Sequence, residues 1–383
     1  MYSCAAIAIQ SGREFLIGSL LYPDALLVRS GLQKIRNGDW AGAEPLFLRA
    51  LARDPASAYR WSDTGNVFRG LGRKEKARIC YLRAAELGRY SPPVLLRVTR
   101  ALFDLDATEE AFTSGGRLLA LTDAYDKEVF RQYDYLRLPA TAVYDRGIPR
   151  NGRPAGAYFQ HLLEREAPLE NLRDAWQRAT ALNGVDDPLA NRYVEYLLKQ
   201  GEHSTAAELW RKHLGSRPGA FERANLLVNG GFEMTPTAGV LDWRVFDCPG
   251  VTAIRDSQVA HSGRTSLRIN FHGNSNLSYG HVSQTAVVAP GHYRFQAYLR
   301  ASEITTDEGI GFLIHGNEDA SRLHVTTDRI TGTAEWIKVE KVFSVTSFTK
   351  SLSIKVIRNP SAKFDSDIRG TVWIDTVSLV AAN

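Results

Sequence analysis

The sequence predicts a two-part fold: an array of paired α-helices followed by an antiparallel β-sandwich. Three observations carry this. Before Glu222, small residues and aromatics recur at helical spacing. Part of that region repeats itself at a fixed offset, the mark of a stacked helical array. After Glu222, apolar residues alternate with polar ones between turns rich in Gly, Asn and Ser, the period of half-buried strands. The expected division is an N-terminal segment over 1–23, a helical domain over 24–222 and a sandwich over 223–383, each half long enough to bury its own core.

The first segment, with Cys4 to Ile9 and a second apolar run over 15–21, is too short to span a bilayer and has no basic residue before it. It reads either as a truncated signal or anchor or as a first helix packed on the repeats. Nothing else in the chain has the length and apolarity of a membrane span.

The repeat is clearest from Asp24. Gly31, Ala43, Phe47 and Ala50 return as Gly65, Ala77, Tyr81 and Ala84, every offset being 34, with Trp61 and Phe68 added. Small residues at 31, 43, 65 and 77 allow two helices to cross closely, and the aromatics fill the space around the crossing. Gly38 and Gly72 sit where a helix must stop. In period and pattern this part resembles the tetratricopeptide repeat. The signal decays over 92–121, where Gly115 stands in an aromatic's place. It is broken over 123–155 by Tyr133, Tyr135, Pro139, Tyr144, Pro149 and Pro154. It returns with Tyr193, Leu197, Gly201, Ala206, Trp210 and Pro218. The resemblance implies a TPR-like solenoid over 24–222 whose concave face takes a protein partner. The basic cluster Arg69, Arg73, Lys74, Lys76 and Arg78 reads as a solvated turn and helix face, and the tyrosines read as core.

Nine strand-like runs follow, at 241–246, 251–255, 266–271, 282–288, 293–300, 310–315, 336–345, 352–357 and 372–380. Their alternation and turn-rich spacing predict two packed antiparallel sheets. Trp243, Trp336 and Trp373, set among apolar neighbours, are expected in the core.

Asn229-Gly230-Gly231-Phe232-Glu233, then Trp243, then 260–267 (AHSGRTSL), Gln284, Pro290-Gly291-His292-Tyr293 and 372–379 (VWIDTVSL) resemble, in order, the jelly-roll carbohydrate-binding modules of families four, nine and twenty-two. The resemblance covers about 225–381. It implies a structural Ca²⁺ held by Glu233 and Asp375, with the Arg264 carbonyl as a third ligand; oxygen donors suit that ion. It also implies a sugar face with Tyr279 as stacking ring and Gln284 as hydrogen-bonding partner, bordered by His315 and Arg300.

Composition narrows the function. The charge of +5 divides into 31 Lys+Arg against 27 Asp+Glu over 1–222, and 16 against 15 over 223–383. The excess is scattered Arg rather than a dense stripe, so nucleic acid is not an expected partner. Cys4, Cys80 and Cys248 match no metal or redox spacing and read as small buried apolar residues. No nucleophile elbow, zinc-protease, P-loop or dinucleotide motif is present. His203 and His213 are too far apart for a helical metal pair, and Glu109-Glu110 and Asp186-Asp187 are adjacent residues that point in different directions. The expectation is a non-catalytic protein of a bacterial periplasm or cell envelope, or alternatively of the cytoplasm. It recruits a protein through its helices and holds a polysaccharide, in export or assembly of a surface glycan. A purely protein-binding adaptor is the alternative, and a hydrolase with an unrecognised cleft the third.

Overall fold

The computed structural model describes residues 23–217, 219–220, 224–364 and 366–382. The apolar N-terminal runs, Cys4, Pro218 and the junction residue Glu222 lie outside the described residues. The chain divides into two compact units, Met1–Val185 and Asp186–Asn383.

Among the described residues of the first unit ten helices follow one another: α1 (Pro23–Arg36), α2 (Trp40–Arg53), α3 (Ala58–Gly70), α4 (Lys74–Leu87), α5 (Pro92–Asp104), α6 (Thr108–Leu121), α7 (Asp126–Tyr135), a short α8 (Ala140–Ala142) running into a π turn (Val143–Gly147), α9 (Gly152–Glu164) and α10 (Leu169–Ala181). Caps define several starts: the Asp39 carboxylate accepts from Gly42 N at 2.7 Å, and the Ser57 hydroxyl accepts from Arg60 N. Gly38 and Gly72 end α1 and α3 with φ of +78° and +73°, which side chains resist.

The 34-residue pattern is a packing device. A Cβ at Gly31 would meet the Phe47 ring at 2.5 Å, and one at Gly65 would meet the Tyr81 ring at 2.7 Å. Each glycine therefore admits the aromatic of its partner helix. One repeat later, Thr99 and Gly115 occupy the equivalent positions with sizes exchanged, and Tyr133 of the next helix reaches into the space Gly115 leaves. The signal decays there because the bulk comes from a different residue. Tyr133 and Tyr144 are buried, their hydroxyls donating to the carbonyls of Gly147 and Ala155, whereas Tyr135 is exposed.

The basic cluster is paired between repeats. Arg73 meets Glu44 at 2.6 Å, Arg69 pairs with Asp104, Arg78 with Glu110, and Lys74 with Asp106 at 3.6 Å. Lys76 lies over the Phe68 ring. Cys80 is buried as expected; Cys248 is partly exposed.

The described residues of the second unit hold α11 (Asp187–Lys199), α12 (His203–Leu214) and ten strands: β1 (Arg244–Val245), β2 (Val251–Asp256), β3 (Ser266–His272), β4 (Tyr279–Val287), β5 (Gly291–Ile304), β6 (Gly311–Gly316), β7 (His324–Thr326), β8 (Gly332–Val345), β9 (Ser351–Arg358) and β10 (Arg369–Ala381). They form two antiparallel sheets, in the order β1-β4-β9-β6-β7 and β2-β3-β10-β5-β8. All nine expected runs contain a strand. The tenth, β7, escaped because three residues are too short a run to establish a period. Between the sheets lies one apolar core, where Phe295 meets Phe312 edge-on at 4.9 Å and Phe271 meets Tyr279 at 5.5 Å.

Candidate functional site

Strand parity decides what each sheet shows to solvent. On β4, Val282, Gln284 and Ala286 face the core, so Ser283, Thr285 and Val287 face out. Gln284, expected on sugar, is 1 % exposed and donates from Nε2 to Val228 O at 3.0 Å. Tyr279, expected as the stacking platform, is 3 % exposed against Phe271, and burial pushes its phenol pKa up. Both expectations are corrected: these residues belong to the core. A register irregularity between Tyr279 and Val282 turns the tyrosine inward, and a motif read without that bulge misses it. His315 does face solvent on this first sheet, beside Ser353 and His324 in register. Arg300 lies on β5 of the second sheet, so the two residues expected to border one face stand on different sheets. Part of the first sheet's outer face is covered by α12, whose Ala207, Trp210 and Arg211 line a small cavity with Thr285 and Val287. Arg244 on β1 pairs with Glu195 of α11 at 2.8 Å.

The second sheet differs. Tyr298 and Arg300 alternate with the core residues Leu299 and Ala301, and Trp373 lies between the core residues Val372 and Ile374. Trp373 therefore faces outward, half-buried, and Trp336, also half-buried, meets the His261 ring over the same face, which corrects their expected place in the core. A strand residue flanked by two apolar neighbours points away from them. Trp373 pairs in register with Arg300, whose guanidinium lies 5.7 Å from the indole and reaches Glu335 at 3.2 Å. The Trp373 indole N–H donates to Asp256 at 2.9 Å. Tyr298 is stacked under His261 with ring centroids 3.7 Å apart, and Trp336 meets the same imidazole edge-on at 5.5 Å.

His261 is placed by a loop gripped from both ends. Asp375, fully buried, accepts from His261 N at 2.7 Å and Ser262 N at 2.9 Å through one oxygen and from Thr376 N through the other. Burial raises its pKa, against the lowering pull of those N–H bonds. Glu233 accepts from Arg264 N at 2.7 Å and Thr265 N at 3.1 Å. Asp375 and Glu233 thus take N–H groups of one loop, 261–265. Arg264 contributes its N–H to Glu233. Carboxylate oxygens are the hard donors that Ca²⁺ takes, and both carboxylates are engaged by N–H groups of this loop. Among the described residues no cluster of three or more His, Cys, Asp or Glu occurs that suits a metal.

The Asn229 to Glu233 motif positions this end of the sandwich. Asn229, at φ +54°, exchanges two hydrogen bonds with Met234. Gly230 lies against the Val377 carbonyl, where a side chain has no room. Phe232 packs on Trp243 at 5.1 Å, and the indole N–H donates to Asn229 O. At the other end Arg358 is fully buried, its guanidinium donating to Asn276 Oδ1, Leu277 O and Ser366 O, with burial lowering its pKa. It also donates to Thr306 Oγ1 and Glu308 O, so it ties three loops together, and among the described residues no carboxylate is in hydrogen-bond contact with it.

Residues 224–363 match the family model described as "Carbohydrate binding domain". Over those residues the chain is similar to a carbohydrate-binding domain, and the residues before them form stacked helices with a 34-residue repeat. No curated protein sequence matches it. Among solved structures it is similar to the CBM22-1 xylan-binding domain from Paenibacillus barcinonensis (16% identity, 40% of this chain and 94% of that one, TM-score 0.28). It is also similar to a putative sugar binding protein from Bacteroides thetaiotaomicron (15%, 41% and 100%, TM-score 0.31). The Sgt2 TPR domain from Aspergillus fumigatus is similar at 18%, over 30% of this chain and 80% of that one, with a TM-score of 0.27. Among the described residues no helix is long and apolar enough to cross a membrane.

Proposed function

We propose that this chain is a non-catalytic binding protein whose sandwich holds a polysaccharide and whose helices dock a protein partner, in the export or assembly of a surface glycan at a bacterial envelope. The observation that carries the glycan reading is the match of 224–363 to a carbohydrate-binding family. The stacked helices supply the kind of extended surface that repeat proteins use for partners. In this reading Glu233 and Asp375 hold a structural Ca²⁺ that stiffens the loop 261–265; the ion supplies charge neutralisation between the two carboxylates, and the loop N–H bonds orient them. The test is migration of the full chain through native gels containing soluble xylan, mixed-linkage β-glucan, pullulan or alginate. Retardation by at least one polysaccharide supports the reading; free migration through all of them removes it.

One observation favours a second reading, a protein adaptor that keeps the sandwich without sugar. Tyr279 and Gln284, the residues the family resemblance assigned to the glycan, are both in the core. Free migration in every gel is its expected result.

A further inference from the structure

Glycan recognition needs a flat apolar ring for the C–H face of a pyranose and polar side chains around it for the hydroxyls. On the first sheet the strands carry two aromatic rings apart from histidine, Tyr279 and Phe312, and both are in the core. The end of that face at Thr285 and Val287 is taken by α12. The second sheet presents what the first lacks: Trp336, Trp373 and Tyr298 project outward from three adjacent strands.

We propose that the solvent face of the second sheet, built on Trp336, Trp373 and Arg300, is the polysaccharide-binding surface. The inference rests on the reading that the sandwich binds glycan and assigns the site. Trp373 on β10 and Trp336 on β8 are separated by β5, which carries Arg300 between them. Two strand spacings place the indoles about 10 Å apart, roughly the span of two hexopyranose units in an extended chain. Arg300, with five donors, lies at the midpoint, and its partner Glu335 is largely exposed, so both can turn to hydroxyls. Asp256 fixes the Trp373 ring through its indole N–H, and the pinned loop 261–265 places His261 on Tyr298 as the wall of the surface beside Trp336. The ligand is therefore an extended polysaccharide of hexopyranose rings, engaged over at least two units.

The experiment uses the full chain in the four polysaccharide gels above. Trp336→Ala and Trp373→Ala are each expected to weaken the retarding affinity tenfold or more, and Trp336→Phe to retain most of it. His315→Ala and Lys355→Ala, on the first sheet, are expected to leave it unchanged. Native-chain tryptophan emission is expected to shift on adding the retarding polysaccharide, a readout that needs no variant to fold. The inference is overturned if both Trp→Ala variants are retarded like the native chain, if emission does not move, or if His315→Ala or Lys355→Ala abolishes retardation. These results differ from free migration of the native chain, which removes the glycan reading itself.

Discussion

Gly65→Ala is the sharpest test of the helical packing. In an exposed helix this change stabilises by about 1 kcal/mol, because glycine leaves more backbone entropy in the unfolded chain. Here the added Cβ would lie 2.7, 2.9 and 3.1 Å from three atoms of the Tyr81 ring. Ordinary carbon–carbon contact is about 3.5–4.0 Å, so the ring must retreat by roughly 1 Å. It has no free direction: Tyr81 is fully buried, and its hydroxyl donates to Asn66 Oδ1 at 2.8 Å. Overpacking costs about 1–3 kcal/mol, and a tethered ring belongs at the upper end. Subtracting the propensity gain leaves a net loss of about 2 kcal/mol. The assay is urea denaturation of the full chain followed by far-UV circular dichroism. The double variant Gly65→Ala/Tyr81→Leu should show a coupling of at least about 1 kcal/mol, since removing the ring removes the clash. A more stable Gly65→Ala, or additive behaviour in the cycle, would refute the glycine-for-aromatic account of the repeat.

Arg358→Met leaves the carbonyls of Leu277 and Ser366 without this donor and should destabilise the sandwich by about 2–4 kcal/mol in the same assay, at about 1–3 kcal/mol for each orphaned group. Stability within about 1 kcal/mol of native counts against the tie between its three loops. Asp187 is held down to about 2, from the usual 3.8, by hydrogen bonding to Arg217 and then to His213. A depressed folded value gives stability that is complete above the unfolded pKa and lost as pH falls toward the folded one. Asp187→Asn should cost about 2 kcal/mol at neutral pH before solvent screening, and about 1 after it. That gap should close by about pH 2 when the two unfolding curves are compared; a constant gap contradicts the linkage. Chelating Ca²⁺ should lower the native melting temperature by about 2–4 °C for a contribution of about 1 kcal/mol in a unit of this size. Glu233→Ala should not respond; equal responses in the two proteins remove the proposed ion.

The repeat was legible because its signal is steric. Gly31 with Phe47 and Gly65 with Tyr81 must appear together, at one spacing, for two helices to touch. At Thr99, Gly115 and Tyr133 the same space is filled by a different division of bulk, so spacing alone no longer identifies it. Strands were legible through alternation, and the motif from Asn229 to Glu233 through residues with no substitute, a glycine under the Val377 carbonyl and an asparagine in the left-handed region. The sugar face was misread because inward or outward is one residue of register. A bulge beside Tyr279 and the outward parity of Trp373 each reverse an assignment made from composition around the residue. Arg358 left no mark in the sequence, since most of its partners are main-chain carbonyls, which every residue carries.

The strand β10 lies in the middle of its sheet, paired with β3 on one side and β5 on the other. During synthesis the pieces β2-β3 and β5-β8 can each form, but nothing joins them until residues 369–381 have emerged. Until then a row of unpaired backbone groups stays open on both pieces, an edge that invites pairing with another nascent chain. Asp375 lies on that same strand, so its hold on the loop 261–265, and through it the pose of His261, arrives with the final closure. A fragment cut at residue 363, where the family match ends, would lack the strand that makes two half-sheets one.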